Sequence, residues 1–206
     1  FGSRIALFTG IAVVSIAGII GTSLGLIAGT FGGWIDEIIM RVVDTFLAFP
    51  VLVFAAALSV SLGNGLIPVI TATGLIVWTR FARVTRGDVL SVKQEQYIEG
   101  AKAVGESKFS IIIRYILPNV LPSIVVVATI QMPAALLYAA TLNFLGIGAQ
   151  PPTASWGVMV RTGSTFMQFS PYLAIFSGAA IILTVLAFNF MGDGLRDALD
   201  PIRGGA

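Results

Sequence analysis

The sequence predicts an all-α, polytopic membrane protein with five transmembrane helices, and three observations carry that reading. Hydrophobic side chains make up 56% of the 206 residues and charged ones only 11%, far from the shares of water-soluble domains. Mean hydropathy is +0.95, and the 12 Lys plus Arg and 10 Asp plus Glu are too few to cover a soluble globule of this size. Charge-free stretches recur along the chain at close to the length, about 20 residues, that a helix needs to cross a hydrocarbon core.

The first stretch runs from Ile5 to Gly29, and Gly21, Gly25 and Gly29 recur in it at four-residue spacing. Such a face lets another helix approach backbone to backbone, so packing rather than chemistry is its expected role. It is too long for the apolar core of a secretory signal and no small-residue cleavage site follows. The chain has no initiator Met, so a segment is expected before residue 1. The second span is expected from Val42 to Leu62 and the third from Leu66 to Thr79, the shortest, lengthened by Phe81 and snorkelling arginines. A fourth runs from Leu121 to Ala140 and a fifth from Tyr172 to Met191. Pro50, Pro68 and Pro133 lie in or at the edges of these spans and predict bends.

Charge is concentrated between the third and fourth spans. From Arg80 to Arg114 there are seven basic residues (Arg80, Arg83, Arg86, Lys93, Lys102, Lys108, Arg114) and four acidic ones (Asp88, Glu95, Glu99, Glu106). This reads as a hydrophilic loop, bounded at 85–117. Basic residues gather on the cytoplasmic side of membrane proteins. Placing the loop there puts Arg41, the seven loop residues, Arg196 and Arg203 inside, against Arg4 and Arg161 outside. The segment 143–171 then lies outside and the C-terminus is cytoplasmic. The net charge of +2 is accounted for by this topology, with no nucleic acid implied.

Within the loop, Gln94–Ser107 carries Tyr97, Ile98, Ala101 and Val104 on one helical stripe, with Glu99 and Lys102 elsewhere. Gly105 ends that amphipathic helix, and Phe109, Ile112 and Ile113 open a second apolar face closed by Leu117 and Pro118. Two readings fit an apolar ridge on a charged loop: a docking surface for a partner, or a helix lying on lipid headgroups.

Glu99-Gly100-Ala101, three residues, Gly105, nine residues and Tyr115-Ile116-Leu117-Pro118 resemble the cytoplasmic loop motif of ABC importer permeases, E-A-A, x3, G, x9, I, x, L, P. Gly100 replaces an Ala of the motif and Tyr115 its first Ile. Gly32 to Asp36, Met40 to Asp44, Phe144 to Gly148, Gln150-Pro151-Pro152, Ser155-Trp156-Gly157 and Leu186 to Asp197 extend the likeness over nearly the whole chain. Together they resemble the second permease subunit of dipeptide, oligopeptide and nickel ABC importers.

That resemblance implies a type I importer permease fold, six spans in the intact subunit and residence in a bacterial inner or plasma membrane. The implied function is half of a translocation pathway for di- or oligopeptides, with nickel or a nickel chelate as the runner-up. The implied partners are a second, homologous permease subunit, two cytoplasmic ATPase subunits that bind ATP and Mg, and an extracellular or periplasmic substrate-binding protein. Tyr97, Glu99, Gly100, Ala101, Lys102, Val104, Gly105, Leu117 and Pro118 are then expected to couple to the ATPase. In that reading Glu99 and Lys102 contact its rim, the Tyr97–Ala101–Val104 ridge fills its groove and Gly105 redirects the chain.

Other chemistry is excluded residue by residue. The chain has 0 His and 0 Cys, which leaves no imidazole base, thiol nucleophile or Cys/His metal site. Gly105-Glu106-Ser107-Lys108 lacks the glycine spacing of a phosphate loop, so this chain is not expected to bind ATP, to hold a cofactor or to be an enzyme. Asp36, Asp44 and Asp193 are boundary residues rather than a facing pair deep in the membrane, which argues against an aspartyl protease. Arg41 with Asp44, and Asp193 with Arg196, are expected to form ion pairs one turn apart. Arg80, Arg83 and Arg86 share a helix face, expected to anchor on lipid phosphate in preference to the ATPase. Gln131, with Thr129 and Met132, either lines a path or bonds to a neighbouring span. The external segment 143–171, with Phe144, Pro152, Trp156, Phe166 and Phe169, is expected to fold back on the membrane face. There Trp156 serves as a lid or scaffold, or packs the outer ends of the spans. The rival of another class is a passive channel or structural subunit, which needs no such cytoplasmic loop.

Overall fold

A computed structural model describes residues 2–150 and 152–199; Pro151 and Arg203, used above, lie outside them. Nine α-helices are described: α1 Gly2–Phe31, α2 Gly33–Ala48, α3 Val51–Ser61, α4 Leu66–Val92, α5 Gln96–Ala103, α6 Lys108–Ile111, α7 Leu117–Phe144, α8 Trp156–Thr165 and α9 Tyr172–Leu199, with one π turn, Ile112–Ile116, joining α6 to α7. α1, α4, the α6–α7 run and α9 are long and apolar enough to cross a membrane. The second expected span is corrected. It starts at Gly33 and is two helices bent by 97° across Phe49–Pro50, where proline cannot donate to the preceding turn.

α1 and α4 form the centre, and they run parallel. A Cβ built on Gly21 would lie 2.3 Å from the Trp78 carbonyl oxygen, on Gly25 2.6 Å from that of Ala82, and on Gly29 2.7 Å from Val89 Cβ. The three positions of α1 thus match successive turns of α4 in the same direction. The small-residue face read from sequence is this seam, and it works because only a missing side chain lets two backbones meet so closely. Gly74 of α4 receives Ile16 in return. Val13, Ala17, Val77, Trp78, Phe81 and Ala82 fill the surrounding core.

Parallel neighbours require a crossing between them, and the bent α2–α3 pair supplies it. α7 returns antiparallel to α1, with Gly10 against Met132 and Leu136, and α9 descends against α7, with Gly192 beside Thr129. Five crossings therefore leave the 93–116 loop and the end of α9 on the same side.

The polar stretch expected as a loop from residue 80 or 85 begins instead as helix. α4 continues to Val92, carrying Arg80, Arg83 and Arg86 with it. Arg83 is ion-paired with Asp44, and Arg86 grips Asp36 through two bonds of 2.5 and 2.6 Å. Arg83 and Arg86 therefore hold α2 against α4 rather than anchoring on lipid. The expected pairing of Arg41 with Asp44 is corrected in the same way, since Arg41 bonds Glu37 at 3.1 Å. No ion pair joins Asp193 to Arg196 among the described residues; Arg196 lines a cleft with Pro122 and Ser123.

The seam makes a prediction. Gly25→Ala, although a better helix former, overpacks the α1–α4 contact by about 1–3 kcal/mol and lowers the thermal unfolding midpoint of the purified protein. Gly87→Ala, with nothing within 4 Å of its built Cβ, leaves the midpoint unchanged or raises it. Equal midpoints for Gly25→Ala and the parent would show that the seam is looser than described.

Candidate functional site

The loop between α4 and α7 is folded by its own residues. α5 ends in a glycine cap: Gly105, at φ +83°, donates to the Lys102 carbonyl at 3.0 Å, while Glu106 donates to that of Ala101 at 3.1 Å. This left-handed turn suits glycine alone at low cost. Ser107 then caps α6 by accepting from the Ser110 amide at 3.2 Å. Glu106 is held by the Ser110 hydroxyl at 2.9 Å and the Tyr115 hydroxyl at 3.0 Å. The tyrosine that departs from the general loop motif therefore ties the two arms of the loop together. Around it the helix widens, Leu117 donating to the Ile112 carbonyl, because Pro118 has no amide to keep the α register.

The stripe expected on α5 divides. Ile98 is fully buried and Ala101 nearly so, packed with Val89, Ile111, Ile116 and Val120. Tyr97, Glu99, Gly100, Lys102 and Val104 face outward, Val104 with 80% of its surface exposed. Ala101 is thus part of the chain's own core and not of an outward ridge. The second apolar face shifts as well: Ile111 and Ile116 turn inward while Phe109 and Ile113 are exposed. Leu117 packs at the margin of the inner cluster and Pro118 is exposed. Period alone could not settle this, since a stripe two residues wide on a short helix can turn either edge to the core.

Lys93 fixes the loop to α1. Its ammonium donates to the carbonyls of Gly29 and Thr30, each at 2.9 Å, closing the C-terminal end of α1 where a cation is favoured. Burial pushes Lys93 below its ordinary pKa, and the Lys102 and Lys108 charges push the same way. Sequence reading missed this residue because a lysine in a charged run looks solvated.

The expected path residues do not gather around an opening. Met132 is buried against Gly10 in the α1–α7 contact, and Thr129 donates to the Val126 carbonyl at 2.8 Å beside Gly192. Gln131 is half-buried with no hydrogen bond among the described residues.

The segment after α7 packs against the chain's own helices. Asn143 accepts from the Ala149 amide at 2.7 Å, Gly65 donates to the Ile147 carbonyl at 3.1 Å, and Gln150 donates to the Gly146 and Gly148 carbonyls. α8 is wedged between α7 and α9. A Cβ on Gly157 would meet the Ala140 oxygen at 2.3 Å, and one on Gly163 the Ala174 amide nitrogen at 2.5 Å. Trp156, half-buried at the start of α8, lies against Gly2 and lines a crevice with Ile5, Leu136 and Thr184. This geometry supports the packing reading of Trp156.

Residues 21–203 match the family described as binding-protein-dependent transport system inner membrane component. The glutathione transport system permease protein GsiD of Pectobacterium atrosepticum is 46% identical over 200 residues, covering 97% of this chain and 66% of that protein. GsiD of Escherichia coli matches to the same extent. The chain therefore spans just under two thirds of the length of these relatives. Among solved structures, an inward-facing form of the MetNI methionine ABC transporter superposes with a TM-score of 0.76 at 19% identity, covering 96% of this chain and 94% of that one. An amino acid ABC transporter gives 0.61 at 16% identity, with 91% and 87% covered. The shared fold is the type I ABC permease fold that the loop motif implied.

Two outcomes test this geometry. Gly105→Val places a β-branched residue at positive φ, costs about 1–3 kcal/mol locally, and speeds tryptic cleavage at Lys102 and Lys108 while helix content stays constant. Trp156→Ala removes a wedge, costs of order 2 kcal/mol, and reduces the yield of folded protein in size-exclusion chromatography. An unaltered yield would return Trp156 to a lid role.

Proposed function

The chain belongs to the binding-protein-dependent transport system inner membrane component family, and from that premise we propose that it is a transmembrane subunit of an ATP-driven importer. It forms half of a translocation route and leaves ATP hydrolysis to separate cytoplasmic subunits. The observation that carries the proposal is the divided α5 helix. Its inner face, Ile98 and Ala101, packs with Val89 at the end of α4 and Val120 at the start of α7, and its outer face, Tyr97, Glu99, Gly100, Lys102 and Val104, is exposed and free to meet a partner. A push on the outer face travels through a packed cluster to α4 and α7, and through Lys93 to α1. The glycine turn at 105 and the Glu106–Tyr115 bond keep the helix from absorbing that push as local unfolding. Such rigidity has no use in a helix that merely rests on headgroups.

Four further assignments follow. The basic loop and the end of α9 lie on the cytoplasmic side of a bacterial inner membrane. α9, with Phe176, Leu183 and Phe190 largely exposed, offers an apolar face for the second permease subunit or lipid. A substrate-binding protein docks on the opposite side, over the α8 segment. The substrate is a small peptide, a reading supported by GsiD, whose name assigns it glutathione, itself a tripeptide; a nickel chelate is the runner-up.

Reconstitution of the complete importer in liposomes tests the proposal. ATP inside the vesicles, on the ATPase side, is expected to drive accumulation of labelled glutathione or dipeptide delivered by the binding protein. Glu99→Lys is expected to reduce uptake at least about tenfold by reversing one charge of the interface, while ATP hydrolysis persists. Uptake that is indifferent to ATP would overturn the proposal. Accumulation of nickel with no peptide transport would overturn the substrate assignment alone.

A further inference from the structure

A cleft of about 230 Å³ opens where the end of α1 meets the loop, lined by Thr30, Lys93, Lys102, Lys108 and Glu106 above a floor of Ile98, Ile111 and Ile116. Three ammonium groups converge on it. Lys102 and Lys108 stand close enough to Lys93 for their charges to act on it, an arrangement that is repulsive when nothing negative lies between them. The one carboxylate on the rim, Glu106, is tied to the Ser110 and Tyr115 hydroxyls and offsets one of the three positive charges, so the rim keeps a cationic excess. Asp36, the acidic group acting on Lys93, is held by Arg86. Lys93 spends two of its three protons on the α1 carbonyls and keeps one. The Thr30 hydroxyl is buried without a partner among the described residues. The cleft thus has cationic and hydroxyl donors above an apolar base.

We propose that this cleft holds the phosphate of an anionic phospholipid. The position at the membrane boundary favours a lipid over a free ion. Phe31 and Trp34, at the turn from α1 to α2, are exposed aromatic residues of the kind that sits at headgroup level, and Lys108 lies over the Phe31 ring at 5.4 Å. The phosphate meets the ammonium groups and the Thr30 hydroxyl. Basic pockets between membrane helices recognise headgroups by this combination. The bound lipid bridges α1 to α5 and α6 and relieves the repulsion among the three lysines. The proposal rests on the transport reading for the complex in which it is measured, and its failure is distinguishable because binding is read without ATP or substrate.

The test uses the purified full complex in nanodiscs of phosphatidylcholine doped with phosphatidylglycerol, followed by native mass spectrometry of the lipid retained. Phosphatidylglycerol is expected to be retained in preference to phosphatidylcholine. Lys108→Gln is expected to lower that retention about fivefold, the worth of one lysine at an anionic surface, and Thr30→Val to lower it in the same direction. Circular dichroism of each variant confirms that the helices persist. Equal retention of the two lipids, or undiminished phosphatidylglycerol on Lys108→Gln, would overturn the proposal. So would complete displacement by millimolar inorganic phosphate, which would mark a free-anion site. Protection of Lys108 from acetylation by the ATPase subunits alone, in lipid-free detergent, would show that a protein contact fills the cleft instead.

Discussion

Everything in this molecule hangs on the contact between α1 and α4. In hydrocarbon no hydrophobic force drives helices together, since lipid tails are as apolar as leucine, and association depends on dispersion between surfaces that fit. Gly21, Gly25 and Gly29 remove the side chains that would hold the backbones apart. The result is a two-helix post whose residues also line the packing sites of α3 and α7. With 61% of its most apolar stretch buried, α4 is the innermost of the spanning helices, whereas α9, with 11%, is the outermost. That gradient explains why α4 tolerates polar threonines and a lower mean hydropathy than the others: its neighbours, not lipid, are its solvent.

The loop inherits its rigidity from that post. α4 runs unbroken from the core of the bundle to Val92, and the next residue bonds back to the end of α1. α5 then sits on a cluster to which α4, α6 and α7 contribute. A short helix of eight residues has little stability of its own. Its shape is set by the glycine cap, by Glu106 and by the two residues it buries.

Much of this was legible beforehand, for physical reasons that differ from element to element. Long apolar stretches report a solvent, so α1, α7 and α9 could be read from composition, and glycines four apart report a close approach, so the seam could be read from spacing. The motif from Glu99 to Pro118 contains a glycine at positive φ and a proline that ends a register, both backbone constraints that leave a mark in one letter. The bend at Pro50 was visible as a proline but not as a right angle, because the angle depends on what α2 and α3 pack against. The arginines of α4 misled because a charge near a membrane boundary has two good partners, phosphate and carboxylate. Only the fold brings Asp36 and Asp44 within reach. Met132 was grouped with Gln131 because the two are adjacent, whereas adjacent helical residues face about 100° apart, and Met132 packs against Gly10.

The parallel arrangement of α1 and α4 also bears on how the chain is made. Antiparallel neighbours can meet as soon as the second emerges, but a parallel pair is separated by a complete return crossing, here residues 32–65. While that stretch is being synthesised, the glycine face of α1 has yet to meet the surface it fits in the finished protein. The α1–α4 contact therefore cannot form until α4 has been inserted in its final direction. The glycine seam, the keystone of the finished protein, is thus a contact that closes late in the making of the chain.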